Sequence, residues 1–445
     1  MKIGIRREDK SRWEARVPLV PDVVRRLIRD QAVEFQVQSS TIRAFPDDAF
    51  REAGARVVED LADCPVILGV KEIPVERLEA GKTYVYFAHV IKGQPVNMPA
   101  LRRLMELGCQ LIDYEKITDD KNRRLVFFGD FAGQAGMIDT LWTLGRRLDH
   151  EGVKNPFSRV RQAHEYDDLA HAQREIAAVG ESIRRDGLPE ALRPLVCGFA
   201  GYGAVSRGAQ RIYDLLPVEE IRPEDLAAVP ASDRATPGSD GVVAASDRAV
   251  FKVVFREEHM VERIDASAPF ELQEYYKQPE RYRAAFFPHV RHLTLLMNCI
   301  YWETKYPRLI TREQFGELYA DPAGARLRVI GDITCDIDGS LACTTRATEP
   351  GNPVYVYDPA TGQTRDGVAG TGPVVLAVDF LPCELPVDAS NYFSASLAPF
   401  IPGLARADFA GELAASGLPA ELQRATIVYR GELTPPYRYL EAHVK

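Results

Sequence analysis

Residues 192–217, LRPLVCGFAGYGAVSRGAQRIYDLLP, read as a strand, a glycine-rich turn and a helix. The strand part is apolar throughout, as in a strand covered on both faces. Val205, Ala209, Ile212 and Leu216 then recur at helical spacing. Gly201 permits the tight turn, and Gly203 lets the backbone come close to a pyrophosphate, which the helix N-terminus attracts. Ser206 stands at the third glycine position of G-x-G-x-x-G, and Gly208 follows two residues later. Dinucleotide binding and a bare structural turn are both open, and the strand–turn–helix context favours the first. Ala204 and Val205 belong to the same turn. Ser206 is a poor nucleophile candidate, because GAVSRG lacks the G-x-S-x-G spacing. An acid about 20 residues on would bond a ribose 2′-hydroxyl and favour NAD over NADP. Glu219, Glu220, Glu224 and Asp225 compete for that role, and Glu224 follows the short strand EEIRP (219–223). A solvated acidic loop is the plain alternative.

Outward from this turn, the first third of the chain alternates strands and helices. IGI (3–5), VEFQV (33–37), CPVILGVK (64–71), YVYFAH (84–89) and CQLIDYE (109–115) are strand-like. Helical patterns over 21–29, 46–55 and 99–107 separate them. Long helical stretches follow at about 131–148 and 164–185. Beyond the turn come AVFKVVF (249–255), HLTLLMNCIYW (292–302) and LRVIGDI (327–333). This order predicts an α/β fold with doubly wound parallel sheets. Residues 227–248, rich in Ala, Ser, Asp, Pro and Gly, read as a surface excursion.

The chain has 445 residues, enough for two or three domains. A net charge of -9 argues against nucleic acid or an anionic membrane as partner. No run of about 18 apolar residues predicts a transmembrane helix, and the charged start MKIGIRREDKSRWEAR has no signal-peptide apolar region. Seven scattered cysteines without a C-x-x-C pair suggest a reducing compartment, the cytoplasm, and no zinc. HVRH (289–292) has no further ligand at metal-site spacing, so no metal is expected.

Lys71 and His89 each end an apolar run. Strand carboxyl ends line the ligand crevice of such sheets. A lysine there is partly desolvated, which lowers its pKa toward a useful acid/base range, and histidine titrates near neutrality. A surface lysine and a satisfied histidine are the plain alternatives, and the pairing at equivalent strand ends weighs against them. Arg16, Arg123 and Arg124 are candidate carboxylate forks, each also readable as a surface charge. Asp332 ends LRVIGDI, where a carboxylate orients a cofactor or caps a turn.

These segments carry a family resemblance. IRREDKSRWEARVPL (5–19), CPVILGVKEIP (64–74), YFAHVIKGQ (86–94), LIDYEKI (111–117), FAGQAGMID (131–139), GYGAVSRGAQ (201–210), CIYWETKYPRLIT (299–311), GDITCDIDGS (331–340) and VDFLPCELPVDAS (378–390) occur in family order. The chain resembles the lysine-2-oxoglutarate reductase (saccharopine-forming) half of the bifunctional aminoadipic semialdehyde synthases. It is more distantly similar to the lysine-forming saccharopine dehydrogenases and to the alanine dehydrogenase/transhydrogenase superfamily. The resemblance implies two Rossmann-like domains separated by a cleft. A substrate-binding domain would comprise 1–133 and 383–445, and a dinucleotide-binding domain 134–382. It implies condensation of the L-lysine ε-amine with 2-oxoglutarate to an imine, and hydride reduction by NADP or NAD to saccharopine, or the reverse. Lys71 and His89 would be the acid/base pair. Arg16, Gln94, Glu115, Arg124 and Phe128 would line the substrate pocket, with Arg123 beside them. Gly201, Gly203, Ala204, Val205 and Glu224 would contact the dinucleotide, and Asp332, Ile333 and Thr334 would run beside the nicotinamide. Ala204 stands where the family pattern has Asn, and Val90 where it has Thr. Other amine and 2-keto acid pairs, amino-acid dehydrogenation, and a non-catalytic NAD(P)-binding role are the alternatives. A homo-oligomer is left open.

Overall fold

The computed structural model describes residues 2–229, 247–321 and 325–444. Most of the excursion expected over 227–248 therefore lies outside the described residues. The chain divides into two compact units, residues 1–128 with 386–445, and residues 129–385. The expected divisions after 133 and 382 move for local reasons. One helix runs unbroken over Gly129–His150, so 129–133 go with unit 2. Glu384 is buried against His164 of unit 2, so 383–385 stay there too.

Unit 1 is built on one sheet. Its strands are β1 (Lys2–Ile5), β2 (Glu34–Gln38), β3 (Arg56–Val58), β4 (Val66–Leu68), β5 (Thr83–Tyr86) and β6 (Gln110–Asp113). All pair in parallel, in the order β6-β5-β4-β1-β2-β3. β4 and β5 are buried along their whole length, which is why their sequences read as continuous apolar runs.

Unit 2 carries β7 (Val196–Ala200), β8 (Val218–Glu220), β9 (Val250–Phe255), β10 (Val261–Arg263), β11 (Tyr282–Ala284), β12 (Leu295–Asn298), β13 (Val329–Asp332), β14 (Val354–Tyr357), β15 (Thr364–Asp366) and β16 (Val374–Leu376). Its main sheet runs β15-β14-β16-β13-β12-β7-β9-β8, and β10 and β11 form a separate antiparallel pair. The chain then returns to unit 1, where β17 (Thr426–Tyr429) and β18 (Glu432–Leu433) extend the first sheet beyond β6.

Neither sheet is purely parallel. β17 and β18 run antiparallel at one edge of unit 1, and β14 and β15 do so in unit 2. Antiparallel edges on a parallel centre are common in doubly wound folds. In each sheet the chain fills one side of a central strand first, then the other. That reversal lies between β1 and β4 in unit 1, and between β7 and β12 in unit 2. Carboxyl ends at such a reversal leave the crevice where ligands bind. Among the described residues no helix is long and apolar enough to cross a membrane.

Candidate active site

The carboxyl ends of β1 and β4 bring charged side chains together in unit 1. Lys71 lies three residues beyond β4, half-buried. Burial pushes its pKa down, the Arg16 cation adds to this, and the Glu14 and Glu72 carboxylates oppose it. Arg16 is buried and meets Glu14 with a fork, Nε to Oε1 at 2.7 Å and Nη2 to Oε2 at 2.5 Å. Burial pushes Glu14 up, but the Arg16 charge and hydrogen bonds outweigh it and leave its pKa low. The Arg16 guanidinium also lies over the Phe128 ring, 4.4 Å from its centroid. Phe128 in turn stacks on Phe393 at 4.5 Å.

His89 follows β5 with φ +51°, a left-handed conformation that a non-glycine residue adopts only where its surroundings hold it. Two bonds do so. Asn97 Nδ2 donates to the His89 carbonyl at 2.9 Å, and Nδ1 of His89 lies 2.7 Å from Glu72 Oε1. Lys10 Nζ donates to the other Glu72 oxygen at 2.8 Å. Burial works against the Glu72 charge, yet the bonds from His89 and Lys10 hold its pKa down to about 2. A carboxylate on Nδ1 places the proton there, so Nε2 is the nitrogen left to accept or give one. Glu72 was not singled out from sequence, although it directly follows Lys71.

The remaining expected substrate residues divide. Glu115, just past β6, accepts from Arg124 Nη2 at 2.8 Å. Gln94 is exposed in the loop after His89. Arg123 is not brought to this cluster. It is exposed and folds back on Asp119 of its own turn, Nε to Oδ2 at 2.7 Å, because residues 119–124 form a tight turn with Asp119 at its head.

Unit 2 answers with backbone and rings. Gly201 has φ +95°, and a Cβ there would lie 3.1 Å from the Cys299 carbonyl oxygen. Gly203 caps the helix Ala204–Tyr213, and a Cβ on it would meet no protein atom within 4 Å. That open space at a helix N-terminus is what close approach of a pyrophosphate requires. Gly208, the displaced third glycine, packs against the backbone of Asp130, and Gly133 packs back against the Val205 carbonyl. The two helices therefore touch through their backbones, and no side chain separates them. Ser206 is buried and accepts from Gln210 Nε2 at 2.9 Å, which removes it as a nucleophile.

Gly201, Gly203, Ala204 and Val205 wall a cavity of about 550 Å³ with Glu257, Tyr276, Tyr301 and Trp302. Glu224 is not in this wall. It sits in a short 3₁₀ turn beyond β8, exposed and paired with Arg222 at 3.3 Å. The strand beside β7 on that side is β9, with β8 outside it, and Arg256 and Glu257 directly follow β9. The distance of about 20 residues falls on the segment after β8, which lies outside β9 and not next to β7. Arg256 lies over the Tyr202 ring at 4.7 Å, and Glu257 Oε1 accepts from Tyr276 at 2.6 Å.

Asp332 caps a turn. Its carboxylate accepts from Asn298 Nδ2 at 2.8 Å, from the Cys335 N–H at 3.0 Å and from Thr344, and burial still pushes its pKa up. Ile333 packs on Gly136, and Thr334 donates to the Ile300 carbonyl at 2.7 Å. None of the three lines the cavity; they bond to Asn298 and Ile300, next to the cavity-lining Cys299.

Comparison with known proteins follows the same lines. Residues 4–135 match the family Alanine dehydrogenase/PNT, N-terminal domain. The chain is 36% identical to an α-aminoadipic semialdehyde synthase of Arabidopsis thaliana over 98% of its length, and it spans 41% of that protein. It is 28% identical to a saccharopine dehydrogenase [NAD(+), L-lysine-forming] of Emericella nidulans, covering 89% of this chain and 90% of the relative. An L-alanine dehydrogenase structure shares the fold over the whole of both chains, with a TM-score of 0.62 at 17% identity. By sequence the chain is a homologue of the α-aminoadipic semialdehyde synthases and saccharopine dehydrogenases, and its fold is that of alanine dehydrogenase.

Proposed function

We propose that the chain is a nicotinamide-dependent oxidoreductase that joins the ε-amine of L-lysine to 2-oxoglutarate and reduces the imine to saccharopine, or runs the reverse. The observation that carries this reading is the corner of Lys71, His89, Glu72, Glu14 and Arg16 at the sheet reversal of unit 1. Forming the imine needs a neutral amine, then a proton on the carbinolamine oxygen so that water can leave. Lys71, with its ammonium form destabilised by burial and by the Arg16 cation, would take and return that proton more readily than an exposed lysine. His89 is one-third exposed and offers Nε2 as the second relay, with a route to solvent. Arg16 and Arg124 suit the three carboxylates that the two substrates bring. Gly201, Gly203 and the helix N-terminus after them would hold the cofactor pyrophosphate, and the nicotinamide, when bound, supplies the hydride.

Both cofactors fit the end of β9: Glu257, which lines the cavity, suits a ribose 2′-hydroxyl as in NAD, and Arg256 beside it suits the 2′-phosphate of NADP. All seven cysteines are free, which suits a reducing compartment such as the cytoplasm.

The test mixes the purified chain with lysine, 2-oxoglutarate and NADPH or NADH, and follows loss of the reduced nicotinamide absorbance. No turnover with either cofactor defeats the lysine reading. A panel of other amines, ammonia and keto acids then identifies the true pair. Arg256→Ala should weaken NADPH by about tenfold to a hundredfold, the worth of one charge-assisted bond, and leave NADH little changed. Equal losses for both cofactors would remove Arg256 from this role.

A further inference from the structure

We propose that Glu8 is a positioning residue that fixes the backbone of Lys71 and so aims its amine. The inference rests on the reading of Lys71 as an acid/base group. β4 ends at Leu68, and the chain beyond it leaves the sheet ladder. Gly69 still donates to the Val85 carbonyl at 3.0 Å, but the next two N–H groups have a carboxylate as partner. Val70 N–H donates to Glu8 Oε1 at 2.7 Å, and Lys71 N–H donates to Glu8 Oε2 at 2.9 Å. One side chain thus takes two consecutive amides, one on each oxygen.

Glu8 is 6% exposed, so burying it works against its charge. A carboxylate in such a place persists only where bonds to its charged form repay the desolvation. Here the return is backbone geometry. No neutral residue of this size offers two strong acceptor oxygens; glutamine has one. Burial nonetheless leaves the Glu8 pKa raised to about 7, with the Arg6 cation opposing. Glu8 is held in turn from its own strand end, where Arg6 Nη1 lies 3.8 Å from Oε2.

The test compares Glu8→Ala and Glu8→Gln with the unaltered chain by two readouts. The first needs no substrate. Lys71 is labelled with cyanate and His89 with diethylpyrocarbonate, and both rates are read peptide by peptide by mass spectrometry. Glu8→Ala should speed Lys71 labelling several-fold and leave His89 unchanged, because Glu8 bonds the first segment and not the second. Glu8→Gln, which keeps one acceptor, should fall between. The second readout is saccharopine-forming turnover. Glu8→Ala should lower kcat by about a hundredfold, the usual loss when a reacting group is misplaced, with the cofactor KM unchanged. Unaltered Lys71 labelling, or equal changes at Lys71 and His89, would overturn the proposal. If Glu8→Ala does not fold, Glu8→Gln carries both readouts. If the unaltered chain forms no saccharopine, the proposed function fails alone, and the labelling still decides on Glu8.

Discussion

At the reversal of its sheet, unit 1 gathers Lys71, His89, Glu72, Glu14 and Arg16, with Glu72 bonded to His89, Glu14 bonded to Arg16, and Lys71 within reach of their charges. At the same topological place, unit 2 offers Gly201 and Gly203, a helix N-terminus and a wall of tyrosines. In the proposed function the first corner would do chemistry with charges that depend on one another. The second would hold a ligand with space and backbone dipoles. Side-chain charge should therefore decide function in the first corner, and added atoms should decide it in the second. The two corners should also fail differently, the first in kcat and the second in affinity.

The sharpest way to break that contrast is Lys71→Met combined with His89→Gln. It should lower kcat by about a thousandfold or more, since positioned acid/base groups are worth 10²–10⁴-fold. Cofactor affinity, measured by fluorescence titration, should not move. Retained turnover would refute the acid/base assignment. In unit 2 the corresponding change adds atoms. Gly203→Leu places a side chain where no protein atom lies within 4 Å of the Cβ, so the melting temperature should hold. Cofactor affinity should fall about tenfold or more, because the chain fills the space a pyrophosphate needs. If affinity falls only in step with stability, the space is not a ligand site.

The same contrast explains what was legible in the sequence. The strands were readable because those buried on both faces become apolar runs, as in CPVILGVK and YVYFAH. Lys71 and His89 stood out because they end those runs. The glycine turn was readable because its geometry is local. Glu14 and Glu8 were not, since what they do depends on Arg16 and on the amides after β4. Arg256 was hidden by strand order, which placed β9 beside β7 and left Glu224 at the periphery. Arg123 reads as a carboxylate fork, and the fold pairs it with Asp119, as it pairs Arg124 with Glu115. Pattern reveals where a residue sits on a strand, and the fold decides which group takes its charge, whether that group is as near as Asp119 is to Arg123 or as far as Glu8 is from the amides after β4.

Unit 2 also contains a buried acidic pair away from the glycine turn, and it sharpens the comparison by lacking any arginine partner. Asp139 and Glu384 are both essentially inaccessible. Asp139 Oδ1 accepts from the Ala163 N–H at 2.7 Å, and Glu384 Oε2 lies 3.2 Å from His164 Nδ1. Asp139 Oδ2 and Glu384 Oε1 are left without a conventional partner, which one shared proton would satisfy. Burial raises both acids. Asp139 rises well above its ordinary value and holds the shared proton, and Glu384 rises to about 7. A buried acid that binds its proton more tightly folded than unfolded stabilises most below its unfolded value of 4.5. That contribution declines as pH rises toward 7, where Glu384 must ionise while buried beside Asp139, with His164 at 3.2 Å as its one titratable basic neighbour among the described contacts. Glu384→Gln keeps the shape and stays neutral. It should therefore raise the melting temperature at pH 8 by a few degrees, for about 1 kcal/mol, and change it little at pH 5. The same gain at both values would mean that Glu384 is not the titrating group.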